Sequence, residues 1–154
     1  MVNETYLARE YELEINTGTT AEPDWTVIRG WTSLAPSAET ETTDDTHAHS
    51  AGWAEHKVAQ RGITFGLDLQ VLRDESGDLD PGQQALRDLS ELVGSESNGE
   101  FRWYHKPSGD GFTFLASIEL PWPGGGHNDN ATVSGTLTVS GQPSPVTVTP
   151  PVEP

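Results

Sequence analysis

Cysteine is absent from this 154-residue chain, and lysine and arginine together number only 8. Without cysteine, disulfides, zinc thiolate sites and cysteine nucleophiles are excluded. A nucleic-acid binder needs clustered cations that displace counterions from phosphates, whereas these basic residues are scattered singly from Arg9 to Lys106. Tight binding to DNA, RNA or an anionic membrane surface is therefore not expected.

Long hydrophobic runs are also missing. No apolar stretch approaches the roughly 18 residues of a spanning helix, and the first residues lack the basic and apolar regions of a signal peptide, so neither membrane insertion nor secretion is expected. Hydrophobic residues make up 33% of the chain, against about 45–50% in typical globular domains. The core must be thin or completed by other subunits. Acidic residues are abundant: the 24 aspartates and glutamates give the chain a net charge of −16.

Alternating apolar and polar residues predict a mainly β domain. Tyr11, Leu13 and Ile15 alternate with Glu10, Glu12 and Glu14, which predicts a strand with one acidic face. Further strands are predicted over residues 25–31, 61–74, 101–104, 112–120 and 132–140. The strands predicted at 101–104 and 112–120 form a hairpin across the turn at 107–111.

One segment has helical periodicity. Apolar residues between 85 and 93 recur at the spacing of an amphipathic helix, predicted over 80–93. Asp80 is the expected N-cap, Pro81 takes the first helical position, Gln83 stands where a capping-box partner belongs and Gly94 marks the end. We therefore expect one flanking helix beside the sheet.

Two segments lack the apolar residues that build a core. Residues 33–60 are polar, so they are predicted to form a long loop or arm that projects from a domain spanning 1–142. The last residues, 143–154, contain five prolines and predict an extended tail.

The residues that carry catalytic or binding chemistry form no recognisable site. No nucleophile elbow, phosphate loop or dinucleotide fingerprint occurs, so no enzyme, cofactor or metal site is predicted. His47 and His49, in the polar segment, are interpreted as exposed contacts, with a metal bridging two subunits as the alternative. Trp31 and Trp53 are candidate subunit contacts. An aromatic sugar platform built from Trp25, Trp31 or Trp122 is a competing hypothesis.

Four stretches, taken together, resemble the major tail tube proteins of long-tailed, non-contractile bacteriophages, particularly those of actinobacterial phages. These stretches are IRGWTSLAPSAE, RGITFGLDLQVLRDESGDLDPGQQALRDL, FTFLASIELP and GGGHNDNATVSGTLTVSGQP. The resemblance spans Trp25 to Pro143. It implies a β-sandwich or barrel-like domain with a flanking helix, in which the polar arm at 33–60 reaches a neighbouring subunit.

The same resemblance implies a function. Members of the family assemble as hexameric rings that stack into a tube in the virion tail, built in the bacterial host cytoplasm. The tube first holds the tape measure protein, meets terminator and distal tail proteins at its ends, and then conducts DNA. A lumen that lets DNA slide benefits from repulsive carboxylates, so Glu10, Glu12, Glu14 and Asp68 are candidate lumen residues. The alternatives are a carbohydrate-binding β-sandwich and a tube subunit of a secretion or contractile injection system.

Overall fold

The computed structural model describes residues 4–149 and contains seven strands in one antiparallel sheet. One α-helix and two short 3-10 turns complete this part of the chain. The mainly β prediction with a single flanking helix is confirmed. The elements are β1 (Tyr11–Asn16), β2 (Trp25–Val27), β3 (Trp31–Asp44), β4 (His56–Gln70), α1 (Pro81–Ser90), β5 (Gly99–His105), β6 (Asp110–Glu119) and β7 (Thr132–Thr147).

The sheet is curled rather than folded into two layers. Its strand order is β2-β1-β5-β6-β7-β4-β3, so β2 and β3 lie at opposite edges although only residues 28–30 separate them in sequence. Four Cα steps reach at most about 14 Å, so the two edges must come close together. Gly30 allows the turn with a φ of 83°. A single barrel-like sheet therefore replaces the sandwich alternative, and the predicted strand 25–31 is interrupted at residue 28.

The concave face of the sheet holds the core. Phe114 stacks on Phe65 and on Phe101 with ring centroids 5.1 and 5.9 Å apart, which joins three strands. Leu86 and Leu89 of α1 are buried in the same cluster. The remaining buried apolar members come from alternate positions of the strands and from the residue after β2: Leu13, Ile15, Ile28, Leu67, Leu69, Ala116, Ile118, Val133 and Leu137. Period-two patterning therefore identified the inward face correctly.

The start of α1 agrees with its sequence signals except at one position. The Asp80 carboxylate accepts a hydrogen bond from the Gly82 amide, as expected of the N-cap. The capping-box role of Gln83 is wrong, because its buried amide instead donates to the carbonyls of Arg29 and Gln70, each at 2.8 Å. Gln83 thus ties the helix to β4 and to the linker between the two edge strands.

The end of α1 comes earlier than predicted. The helix stops at Ser90, where the Glu91 amide donates to the Asp88 carbonyl in a tighter turn. Gly94 has a φ of 72° but opens the following 3-10 turn, Gly94–Ser97, instead of capping the helix. Val93, beyond the helix, is extended and exposed.

The predicted proline tail from residue 143 is wrong for its first part. β7 continues to Thr147, and Pro145 lies opposite Phe112 on β6. Pairing between β7 and β4 ends at Thr138, so this part of β7 has a partner on one side only. Proline is tolerated there because an edge strand can leave one side without hydrogen bonds. Residues 150–154 of the predicted tail lie outside the described part.

Replacing Gly82 with alanine should destabilise the fold, because a Cβ atom there would overlap the Val27 carbonyl oxygen and lie 2.7 Å from the Ile28 Cα. Overpacking against backbone costs about 1–3 kcal/mol of unfolding free energy, measurable by urea denaturation. Gly62→Ala is the matched control, since a Cβ at that position meets nothing within 4 Å. Equal stability of the two variants would contradict close docking of α1 on the linker after β2.

Candidate assembly surfaces

The polar segment at 33–60 is a β-hairpin, not an irregular loop. β3 and β4 pair from Trp31 and Leu69 out to Asp44 and His56, whereas β4 meets β7 only from Thr64 onward. The outer half of the hairpin therefore extends past the sheet as a two-stranded ribbon. A projecting segment was expected, but its regular backbone pairing was not.

Backbone chemistry explains this difference. Low apolar content denies the segment a core, yet two antiparallel strands satisfy each other's amides and carbonyls without one. The run from Glu39 to Thr43, ETETT, is rich in β-branched threonine, which favours extended backbone. The signal for a strand was therefore present in the sequence, but lacked an apolar face.

The hairpin tip, residues 44–57, is held by its own hydrogen bonds. The Asp45 amide donates to the Glu55 carbonyl at 2.8 Å, and the Glu55 amide donates to the Thr46 hydroxyl at 2.9 Å. Hydrogen bonds from the Thr46 hydroxyl and amide lower the pKa of the Asp44 carboxyl. Trp53 projects from this ordered tip with 78% of its surface exposed. The tip thus presents a large apolar side chain on a preorganised frame.

His47 and His49 lie together on this tip. The His49 amide donates to His47 Nδ1 at 3.1 Å, and His47 Nε2 lies 3.4 Å from a Glu55 carboxylate oxygen. Within residues 4–149, no group of three or more histidine, cysteine, aspartate or glutamate side chains could hold a metal ion. The bridging-metal alternative thus has no complete ligand set in the described part of one chain.

Two strand edges of the hairpin have no sheet partner among the described residues. β3 is the terminal strand of the sheet along its full length, and β4 pairs only with β3 between His56 and Ile63. Such edges carry free backbone amides and carbonyls, and natural proteins usually shorten or cover them. A 14-residue edge strand is therefore a ready surface for pairing with another chain.

The convex face formed by residues 64–70 of β4 with β7 and β6 is mostly polar, and Leu115 of β6 is its large exposed apolar side chain. β7 exposes Thr132, Ser134, Thr136 and Thr138 there, and the Ser134 hydroxyl donates to the Asp68 carboxylate at 2.6 Å. Glu119 of β6 adds a second carboxylate to this side. Every lysine and arginine of the chain precedes residue 107, so β6 and β7 contain none.

The acidic face of β1 is engaged within the chain. Glu14 is only 5% exposed and pairs with the Arg102 guanidinium, whose centre lies 4.5 Å from the Trp25 ring. The Tyr104 hydroxyl donates to the carboxylates of Glu12 and Glu14 at 3.0 and 3.1 Å. Glu14 therefore does not stand on an open acidic face of β1, because a cation and a phenol cover it.

Glu10 is also held locally. Its carboxylate accepts a hydrogen bond from the Leu7 amide at 2.9 Å and lies 3.9 Å from Nε2 of the buried His105. Sequence periodicity placed Glu10, Glu12 and Glu14 on one side but carried no information on the partners that strand pairing brings to them.

Tyr104 should make stability fall at alkaline pH. Burial, followed by the charges of Glu14 and Glu12, raises the pKa of its hydroxyl. Since the unfolded chain releases this proton first, from about pH 10, the folded state holds more protons above that pH and its stability declines as pH rises toward the folded pKa. We expect the stability advantage of the wild type over Tyr104→Phe to narrow above about pH 10 in urea denaturation series. A constant difference would contradict the raised pKa.

The other tryptophans divide into covered and exposed ones. Trp31 is half-buried and packs edge-on against Trp103, with ring centroids 5.8 Å apart. Trp25 lies under Arg102. Trp122 is 89% exposed in the loop after β6. Of the three candidate residues for a sugar platform, Trp25 and Trp31 are thus covered by neighbouring side chains, and Trp122 is openly exposed.

A curled antiparallel sheet with a projecting hairpin and free edges is an architecture suited to self-assembly. Solved structures similar to this fold come from gene transfer agent particles and from a prophage baseplate. The chain is similar to one from the tail of an empty gene transfer agent particle refined with C6 symmetry, at a TM-score of 0.69 and 18% identity, covering 91% of this chain and 98% of that one.

Two further structures agree. A chain from the virion of a native gene transfer agent particle matches with a TM-score of 0.63 and 14% identity, over 92% of this chain and 99% of that one. A chain from the six-fold symmetrised baseplate of the anti-feeding prophage matches with a TM-score of 0.59 and 10% identity, over 95% of this chain and 98% of that one. At these identities the likeness establishes the fold.

No protein-family model and no curated protein matches the sequence. Among residues 4–149, no helix is long and apolar enough to cross a membrane.

Proposed function

We propose that this chain is a structural, non-enzymatic subunit of a tail tube, in which six copies form a ring and rings stack. The observation that carries the proposal is the match to the C6-symmetric gene transfer agent tail, which covers nearly the whole of both chains.

The free edges suit ring formation. Pairing the exposed edge of β3 with a strand of a neighbouring copy would satisfy its backbone groups and hide an edge that otherwise invites uncontrolled association. Closed six-fold symmetry uses the same contact at every step and leaves no edge over. The hairpin tip extends beyond the sheet and exposes Trp53, and on this basis we propose that Trp53, His47 and His49 contact the neighbouring subunit or ring. Trp31 is not retained as a contact residue, since it packs on its own core.

We assign the lumen to the convex face of β4, β7 and β6. Small hydroxyl side chains with Asp68 and Glu119, and no lysine or arginine on β6 or β7, present nothing that would hold phosphates. Repulsion by these carboxylates keeps passing DNA from adhering. Glu14 is not a lumen residue in this proposal because it is buried, and Glu10 and Glu12 are secondary candidates because both are hydrogen-bonded within the chain.

The finer identity proposed here follows from the sequence resemblance. It is the major tail tube protein of a non-contractile phage of the actinobacterial type, assembled in the host cytoplasm and located in the virion tail. Its partners would be further copies of itself, the tape measure protein, and the terminator and distal tail proteins, with DNA passing through and no membrane contact.

A second candidate is the tube of a secretion or contractile injection system. The match to the anti-feeding prophage baseplate favours it, although with the lowest TM-score of the three. Electron microscopy of particles from the producing cells separates the two candidates. A bare tube attached to a DNA-filled capsid supports the phage assignment, and a contractile sheath around the tube supports the alternative.

Negative-stain microscopy of concentrated purified protein tests the proposal itself. We expect rings or tubes with six-fold end views and a size-exclusion profile that shifts with concentration. A monomer at every concentration would contradict tube formation, and retention of that monomer on polysaccharide would favour the carbohydrate-binding hypothesis.

A further inference from the structure

The hairpin tip carries an unusual concentration of histidine. Three of the five histidines of the chain, His47, His49 and His56, lie within residues 44–57. None of these three histidines belongs to the core or to the proposed lumen face. Imidazole is the side chain whose protonation ordinarily falls between about pH 5 and 8, so this tip can change its charge under conditions in which carboxylates and amines do not.

The three imidazoles lie among carboxylates. His47 Nε2 is 3.4 Å from the Glu55 carboxylate, and His56 stands directly opposite Asp44 in the strand pairing. The His49 ring is 6.1 Å from that of His47. The other charged groups on the two strands near the tip are Asp45, which pairs with Lys57 at 3.4 Å, and, nearer the base of the hairpin, Glu39, Glu41 and Arg61.

Protonation reverses the charge of the tip. With neutral imidazoles, the carboxylates of Asp44, Asp45 and Glu55 outnumber the single ammonium of Lys57, and the tip carries two net negative charges. Three imidazolium groups convert this to one net positive charge. The whole chain carries a net charge of −16 at neutral pH, so a second copy presents an anionic surface. That surface repels the tip when its imidazoles are neutral and attracts the tip when they are protonated.

We propose that the three histidines make the contact of the hairpin tip with a second copy of this chain pH-dependent, stronger in mild acid. The inference rests on the proposed tube function and adds pH regulation of subunit assembly to it. Trp53 supplies the apolar anchor at either pH, because its exposed indole has no titratable group. The charge of the surrounding tip decides how readily the anchor approaches an acidic neighbour, and added salt should weaken the effect.

The test is the critical concentration for tube assembly, measured by sedimentation of the full chain at about pH 5.5 and about pH 7.5 at constant ionic strength. This range stays above the isoelectric point of about 4.4, where general aggregation would interfere. We expect wild type to assemble at about tenfold lower concentration in the acidic buffer. The triple variant His47→Asn, His49→Asn, His56→Asn should lose this dependence, whereas His127→Asn, in the exposed loop before β7, should retain it.

A second variant is needed because a misfolded tip in the triple variant would also abolish the pH dependence. His49→Lys places a permanent positive charge on the exposed tip, and should lower the critical concentration at about pH 7.5 toward the acidic value. Wild-type pH dependence in the triple variant, or no effect of His49→Lys at the higher pH, would overturn this inference while leaving the tube proposal intact. Wild type that stays monomeric at every pH would overturn both.

Discussion

Truncating Arg102 to alanine should lower the unfolding free energy by about 3–5 kcal/mol, a large part of the roughly 5–15 kcal/mol typical of a domain. Glu14 is 5% exposed, and its carboxylate pairs with the Arg102 guanidinium. Removing the cation leaves a buried charge without its counterion, which costs far more than the pair itself contributes. The guanidinium also covers the Trp25 ring at 4.5 Å, so its packing is lost as well. Urea denaturation at neutral pH measures the change.

Two controls separate the buried charge from the loss of an arginine. Arg9→Ala removes an exposed arginine from the turn before β1 and should change stability by less than about 0.5 kcal/mol. The double variant Glu14→Gln, Arg102→Met removes both charges while leaving an acceptor for the Tyr104 hydroxyl, and should recover most of the loss. A loss below about 1 kcal/mol in Arg102→Ala would show that water reaches Glu14 and that the site is not sealed.

Replacing Trp53 with alanine should impair assembly while leaving the fold intact. Its side chain is 78% exposed in a tip that is ordered by bonds not involving the indole, so the isolated domain loses little. At a subunit contact, a buried tryptophan is worth about 2–4 kcal/mol, equivalent to a weakening of each contact by about 30- to 1,000-fold. We expect the critical concentration for tubes to rise accordingly while the urea midpoint remains within about 0.5 kcal/mol of wild type.

Trp122→Ala is the matched control for this change, because Trp122 is 89% exposed in a loop away from the hairpin. Electron microscopy and sedimentation of the two variants at equal concentration compare loss of an indole at the tip with loss of one elsewhere. Equal impairment in both would argue against the tip as the contact, and unchanged tube yield for Trp53→Ala would remove Trp53 from the interface.

The inward face of the sheet and the existence of the helix were predictable from the chain alone. Period-two alternation placed Leu13 and Ile15 in the core, and Asp80 marked the start of α1. Among the candidate contact and lumen residues, the surroundings of some could be predicted from the sequence and those of others could not. Trp53 emerged from its isolation in a polar segment, which is a sequence property, whereas Glu14 was assigned to an open face because its partner Arg102 lies 88 residues away in the chain.

Composition and periodicity determined the class of protein: mainly β, acidic, poor in apolar residues and without a catalytic motif. These properties depend on residue types and on neighbours two to four positions apart, which the sequence states directly. Tertiary structure alone decided that residues 33–60 lie in a β-hairpin, that β7 continues through Pro145 and that β2 and β3 form the two edges of the sheet. Those outcomes depend on which strand lies beside which, and long-range backbone pairing leaves no periodic trace in a segment without an apolar face.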